Sequence, residues 1–127
     1  MNETAEIVDL GFSVADAEEP KIEYEEASLL LSFTDWKEER MKVRFHDVSA
    51  FRWQEAEYYV DQENERFDSC HIISNSNWLK THEKQSELVA PSGSKHYKLN
   101  FNASGVFEII CTRIDNLTQP VSRGNES

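Results

Sequence analysis

A chain of 127 residues is long enough for one domain and too short for two. Apolar residues make up 39% of it, and three Trp, four Tyr and seven Phe can build a hydrophobic core, which excludes a disordered polymer. The 13 Lys and Arg stand against 24 Asp and Glu, for a net charge of −11. Binding to nucleic acid or to an anionic membrane surface is therefore not expected, because both are polyanions.

The excess of acidic side chains lies entirely in the first half of the chain. Residues 1–68 carry a net charge of −12, whereas residues 69–127 carry +1. Such segregation fits either a solvated, solubilising surface or a landing site for a basic partner. The sequence leaves both interpretations open.

The first 20 residues are acidic, end at Pro20 and contain only scattered apolar residues, so they predict either an edge strand or a mobile segment. They contain no Lys or Arg and no long apolar run, so we expect no secretory signal. No apolar run anywhere exceeds three residues, so we expect no transmembrane helix and a soluble, cytoplasmic protein. Cys70 and Cys111 belong to no metal or redox spacing and are predicted to be buried thiols.

Alternation of apolar and polar residues predicts strands from Lys21 onward. Residues 21–34 predict one long strand or two short ones, and residues 41–46 predict the next, joined to them in a β-hairpin by a loop of about five residues. Residues 48–53 also alternate as a strand. Residues 54–68 are acidic, and their periodicity does not distinguish a loop from a short helix.

Two further elements follow in the second half. Residues 67–73 predict a strand, and Asn77 is suited to cap a short helix that runs through His82. The clearest alternation, from Tyr97 to Thr112, predicts a second hairpin in which Gly105 supplies a positive φ at the turn.

The predicted fold class is α+β and mainly β: an antiparallel sheet of about five or six strands, arranged as a meander or a partly closed barrel, with one short helix. We expect residues 21–114 to form a single antiparallel β-rich domain. The acidic segment 1–20 precedes it, and a polar tail, 115–127, follows it.

The common catalytic motifs are absent from the sequence. Ser92-Gly93-Ser94-Lys95 resembles only the end of a phosphate loop, and the four His residues are scattered, which favours structural or surface roles. We therefore name no catalytic, cofactor-binding or metal-ligating residue, expect no cofactor, and predict that the protein is not an enzyme.

Acidic and aromatic side chains are mixed at two places, and this mixture can receive Lys or Arg through ion pairs and cation–π contacts. Trp36 lies among carboxylates at the predicted hairpin loop, and two adjacent Tyr residues lie in the acidic stretch that follows. The predicted partner-binding residues are Asp35, Trp36, Glu38, Glu39, Glu55, Glu57, Tyr58, Tyr59 and Asp61.

Several of these stretches resemble small acidic bacterial toxin-immunity proteins. The resemblance is carried by Phe33-Thr34-Asp35-Trp36, Val43-Arg44-Phe45-His46-Asp47-Val48, Phe51-Arg52-Trp53, and His96-Tyr97-Lys98-Leu99-Asn100-Phe101-Asn102 followed by Gly105-Val106. It implies a protein that binds a cognate toxin, commonly a basic nuclease, and masks its active site. The acidic first half would then stand in for nucleic-acid phosphates.

Three functions remain open from the sequence. The leading one is a non-catalytic protein-interaction module for a basic protein partner. The second is a small ligand-binding or enzymatic β-barrel-like domain with a pocket inside the sheet. The third is a structural homo-oligomer subunit that associates through strand edges. The sequence does not indicate an oligomeric state.

Overall fold

The computed structural model describes residues 3–55, 69–85, 93–101 and 104–118. This part of the chain is mainly β with one short helix, which confirms the predicted fold class. Its elements are β1 (Thr4–Ile7), β2 (Glu18–Glu25), β3 (Ser28–Thr34), β4 (Arg40–His46), β5 (Ala50–Glu55), β6 (Cys70–Ser74), α1 (Asn77–Gln85), β7 (Lys95–Phe101), β8 (Gly105–Cys111) and β9 (Arg113–Asn116).

The described strands form two open antiparallel sheets and do not close into a barrel. One sheet has five strands in the order β1-β6-β7-β8-β5, and the other has four in the order β2-β3-β4-β9. The sequence predicted one sheet of about five or six strands. The described part of the chain contains nine strands, which include β1 and β9, whose partners are distant in sequence. The segment 21–34 is divided between β2 and β3.

Alternating apolar residues pack the two sheets face to face. Leu29, Leu31 and Phe33 of β3 are fully buried. Phe33 meets Phe101 of β7 edge-on, with ring centroids 5.4 Å apart. Because successive strand residues point to opposite faces, every second residue of β3 and β4 enters this core.

Glu26 and Ala27 form a two-residue turn between β2 and β3, with φ of 46° and 64°. Two consecutive left-handed residues define the type I′ turn, whose twist matches that of a hairpin. The sequence did not predict this turn, because such positions favour Asn and Gly and are occupied here by Glu and Ala. Segment 21–34 is therefore two strands, one of the two arrangements that the alternation allowed.

Described segments on both sides of the predicted domain take part in the sandwich. β1 pairs with β6 at the edge of the five-stranded sheet, and Val14 and Ala17 are buried in the core at 1% and 3% exposure. At the other end, β9 pairs with β4 as far as Asn116. The described fold thus extends beyond residues 21–114 in both directions.

Helix α1 lies against the outer face of the five-stranded sheet. Its N-terminus is capped by Ser76, whose Oγ accepts a hydrogen bond from the backbone N–H of Leu79 at 3.0 Å. The cap is therefore one residue before the predicted Asn77. Within the described residues, no helix has the length and apolar character needed to cross a membrane.

Cys70 and Cys111 are free and buried, as predicted. Burial, followed by the nearby charge of Asp9, raises the pKa of Cys70 to about 12. Burial and the charge of Asp47 raise the pKa of Cys111 to the same value. Neither thiol ionises at neutral pH, so both serve as core side chains.

Candidate functional site

The turn between β3 and β4 holds the first part of the predicted binding site. Oδ1 of Asp35 accepts hydrogen bonds from the backbone N–H groups of Lys37 and Glu39, both at 2.9 Å. Asp35 therefore shapes the turn and is half-buried. Trp36 is 57% exposed, and Glu38, with φ of 64°, is also exposed. The turn holds its own aspartate inward and presents an indole and a glutamate outward.

Glu55 ends β5, the edge strand of the other sheet. Its carboxylate accepts a hydrogen bond from Nε1 of Trp53 at 2.5 Å. The Trp53 ring packs on Phe101 with centroids 5.8 Å apart, and Phe101 packs on Phe33, the residue two before Asp35. This chain of ring contacts places Glu55 at the same end of the sandwich as the β3–β4 turn.

The start of β2 contributes two more carboxylates to this end. Glu18 pairs with Thr34, the last residue of β3. Glu19 follows in a bulge, and its carbonyl oxygen accepts a hydrogen bond from Nη1 of Arg40 at 3.1 Å. We call this surface the acidic end. It comprises Glu18, Glu19, Asp35, Trp36, Glu38, Glu39 and Glu55.

Basic groups at the acidic end are fewer, and two of them already have partners. The Nζ of Lys37 lies 5.2 Å from the centre of the Trp36 ring. The Arg40 guanidinium lies across β3 and also donates to Oγ1 of Thr34 at 3.2 Å. A hollow of about 430 Å³ beside it is lined by Glu19, Pro20, Lys21 and Arg40. The surface keeps an excess of carboxylates over these cations.

The structure brings together five of the nine residues that the sequence selected. Asp35 mainly stabilises the turn. The other four are exposed, namely Trp36, Glu38 and Glu55, or half-buried, namely Glu39. The remaining four, Glu57, Tyr58, Tyr59 and Asp61, lie outside the described residues. Glu18 and Glu19 are additional members that the sequence analysis did not select.

A buried polar network lies on the outer face of the five-stranded sheet, the face that carries α1. His96 of β7 is 3% exposed, and its Nδ1 lies 2.7 Å from Oγ of Ser76. Its Nε2 lies 2.7 Å from Oε1 of Glu108 on β8. Arg52 of β5 contacts both carboxylate oxygens of Glu108 at 3.2 Å, and its guanidinium stacks 4.2 Å from the centre of the Trp78 ring.

The charge of Glu108 is stabilised by this network. Burial raises the pKa of Glu108, but hydrogen bonds from His96 and Arg52, together with the charges of Lys98 and Arg52, outweigh burial and lower it to about 2. Because the carboxylate is ionised, it can only accept hydrogen bonds. Nε2 of His96 therefore carries a hydrogen and donates a hydrogen bond to Oε1 of Glu108.

The network resembles a hydroxyl–imidazole–carboxylate relay, but its hydroxyl is not available to a substrate. Ser76 is 3% exposed, and its oxygen also caps α1. The arrangement therefore ties the helix to the sheet. The scattered histidines of the sequence favoured structural or surface roles, and His96 is structural. The feature of the sequence that indicates this network is Glu108, an acidic residue within the otherwise apolar residues 106–111.

Comparison of the chain with protein-family models, with curated proteins and with solved structures finds no match. Among the described residues, no group of three or more His, Cys, Asp or Glu side chains is placed to hold a metal ion.

Proposed function

We propose that the protein is a non-catalytic interaction module that docks a basic protein on its acidic end. The observation that supports this proposal is convergence: carboxylates from the start of β2, the β3–β4 turn and the end of β5 lie at the same end of the sandwich as an indole that is 57% exposed. These residues are far apart in sequence, and the sandwich brings them to one end.

Carboxylates around an aromatic ring suit Lys and Arg side chains. The carboxylates accept charge-assisted hydrogen bonds, and the ring face attracts the cation. Tryptophan is also enriched among residues that dominate binding energy at interfaces. Exposed acidic side chains contribute mainly to the rate of encounter, so we expect association to slow steeply as salt rises.

The basic partner that we propose is a bacterial toxin, in keeping with the resemblance to immunity proteins. A basic nuclease carries cations that bind phosphates, and the carboxylates of the acidic end would occupy those cations and mask the toxin's active site. Four glutamates of the acidic end are exposed, so their carboxylates can reach such a surface: Glu18, Glu19, Glu38 and Glu55.

The alternative of a small-ligand pocket between the sheets has less support. At the level of Phe33 and Phe101, and again at Phe45 and Phe107, rings from the two sheets touch across the core, with centroids 5.4 Å and 5.7 Å apart. Four buried phenylalanines fill the space that an internal ligand would need.

Affinity capture tests the proposal. The immobilised protein is exposed to lysate of its own source at low salt and then eluted with a salt gradient, and bound proteins are identified by mass spectrometry. We expect one predominant basic protein that elutes at moderate salt and is released by an excess of the free protein. Retention of no basic protein, or of many basic proteins in proportion to their abundance, would count against a specific site and in favour of a solubilising surface.

A further inference from the structure

The outer face of the four-stranded sheet carries rows of opposite charge. Leu29, Leu31 and Phe33 point inward, so their neighbours on β3 point outward. Pairing in register then defines what else lies on this face. The outward residues are Glu18, Lys21, Glu23 and Glu25 on β2; Ser28, Leu30, Ser32 and Thr34 on β3; Arg40, Lys42, Arg44 and His46 on β4; and Arg113 and Asp115 on β9.

Four paired residues, one on each strand, show the pattern most clearly. Glu23 pairs with Leu30, Leu30 with Arg44, and Arg44 with Asp115. An acidic strand and a basic strand thus flank β3, whose outward side chains are small or apolar. At β9 the Asp115 carboxylate already contacts Nε2 of His46 at 2.8 Å. The β4 row is cationic in a protein whose net charge is −11.

This face is complementary to itself. A two-fold axis that runs along β3, in the plane between two facing sheets, exchanges the positions of β2 and β4. Glu23 of each copy then lies over Arg44 of the other, and Leu30 meets Leu30 on the axis. Such an isologous contact forms both ion pairs at once and closes at two copies.

We propose that the outer face of the four-stranded sheet is a dimerisation surface for a second copy of this chain. The occupant is a second copy because the face carries both charges at matching distances on either side of β3. A uniformly acidic or basic partner would oppose one of the two rows. A hollow of about 410 Å³ between the rows, lined by Glu23, Tyr24, Glu25, Ser28, Leu30 and Arg44, can receive the facing side chains.

The geometry also limits the strength of this contact. Four strands spaced by about 4.8 Å and outward rows over about 20 Å give a small interface. Nearer the acidic end, Lys21 and Lys42 lie on either side of Ser32. In the dimer, Lys21 of one copy would therefore face Lys42 of the other. The favourable contacts are therefore made by Glu23 and Glu25 on one side of these lysines and by Glu18 on the other, and we expect a weak dimer that salt dissociates.

Sedimentation velocity on the full chain and on charge-swapped variants tests this proposal. We expect the wild type to dimerise at low salt at concentrations of about 10 to 300 µM and to be monomeric at about 500 mM salt. Glu23→Arg alone and Arg44→Glu alone should both be monomeric, because each makes the facing rows alike in charge. Glu6→Arg on β1 is the control for a charge reversal elsewhere and should dimerise as the wild type does.

Mixing the two monomeric variants gives the decisive result. Equal amounts of Glu23→Arg and Arg44→Glu should form a heterodimer, and the double variant on one chain should dimerise again. Circular dichroism verifies that each variant is folded before it is scored. A wild type that is monomeric throughout, single swaps that leave the dimer intact, or a mixture that stays monomeric would each overturn the proposal. Glu23 and Arg44 do not belong to the acidic end, so none of these results bears on the binding of a basic protein there.

Discussion

His96 Nε2 donates a hydrogen bond to Oε1 of Glu108 across 2.7 Å, between two side chains that are almost wholly withdrawn from water. The bond spans β7 and β8 on the face that carries α1, and Ser76 continues it to the N-terminus of the helix. A buried carboxylate of this kind makes stability depend on pH.

We predict that Glu108 stabilises the fold at neutral pH and loses this effect in acid. Its pKa is about 2 in the folded protein and near 4.5 ordinarily, so its contribution is fully present above pH 4.5 and disappears as pH falls from about 4.5 to 2. The shift corresponds to a contribution on the order of 3 kcal/mol. In urea unfolding, the free energy of unfolding of Glu108→Gln should therefore be well below that of the wild type at pH 7, and the difference should shrink at pH 3.

Glu6→Gln is the matched control, because Glu6 is exposed on β1 and lies outside the network. Its free energy of unfolding should stay close to the wild-type value at both pH values. A difference between wild type and Glu108→Gln that is the same at pH 7 and pH 3 would show that the charge of Glu108 is not what stabilises the fold.

Ser76 should contribute more to the stability of α1 than Asn77 does. The Ser76 hydroxyl caps the half-buried Leu79 N–H and contacts the buried His96 ring, so Ser76→Ala leaves each of these polar groups with one partner fewer. We expect a loss of about 1 to 2 kcal/mol for Ser76→Ala and a few tenths for Asn77→Ala. Thermal unfolding measures both. Equal losses, or a larger loss at Asn77, would contradict Ser76 as the cap and support Asn77, the cap that the sequence predicted.

Ala27→Gly should stabilise the protein. Ala27 is exposed and has φ of 64°, where the Cβ of an L-residue is strained. Glycine removes that strain, so the free energy of unfolding should rise by up to about 1 kcal/mol despite the greater entropy of the unfolded chain. The control is Ala15→Gly, outside the left-handed positions, which should lower stability by about 0.5 to 1 kcal/mol. Both substitutions lowering stability in urea unfolding would contradict the type I′ assignment.

Local patterns predicted the strands whose partners are close in sequence. The β3–β4 hairpin alternates cleanly between Leu29 and Phe45, and Gly105 marks the start of β8. At Gly105 a Cβ would lie 2.4 Å from the carbonyl oxygen of Gln54, so only glycine fits. The pairings of β1 with β6 and β4 with β9 join segments far apart in the chain, and no local pattern encodes them.

The polar face of β7 and β8 was the hardest part to predict. Lys98 and Asn100 alternate with apolar neighbours, which is typical of a strand with one solvated face, yet they are 5% and 3% exposed. Their burial depends on tertiary packing. The acidic end was predictable only in part, because Trp36 and Glu38 are neighbours in one turn, whereas Glu55 joins them through the packing of Trp53 on Phe101.

Docking of a basic protein at the acidic end is tested by the rate at which the captured protein associates with two double variants. Glu38→Gln with Glu55→Gln removes two charges from the acidic end, and Glu3→Gln with Glu6→Gln removes two exposed charges at the start of the chain, beside and within β1. Stopped-flow measurement at several salt concentrations should show slower association and a shallower salt dependence for the first variant, with the second close to wild type. Equal rates and equal salt dependence for the two variants would contradict docking at the acidic end.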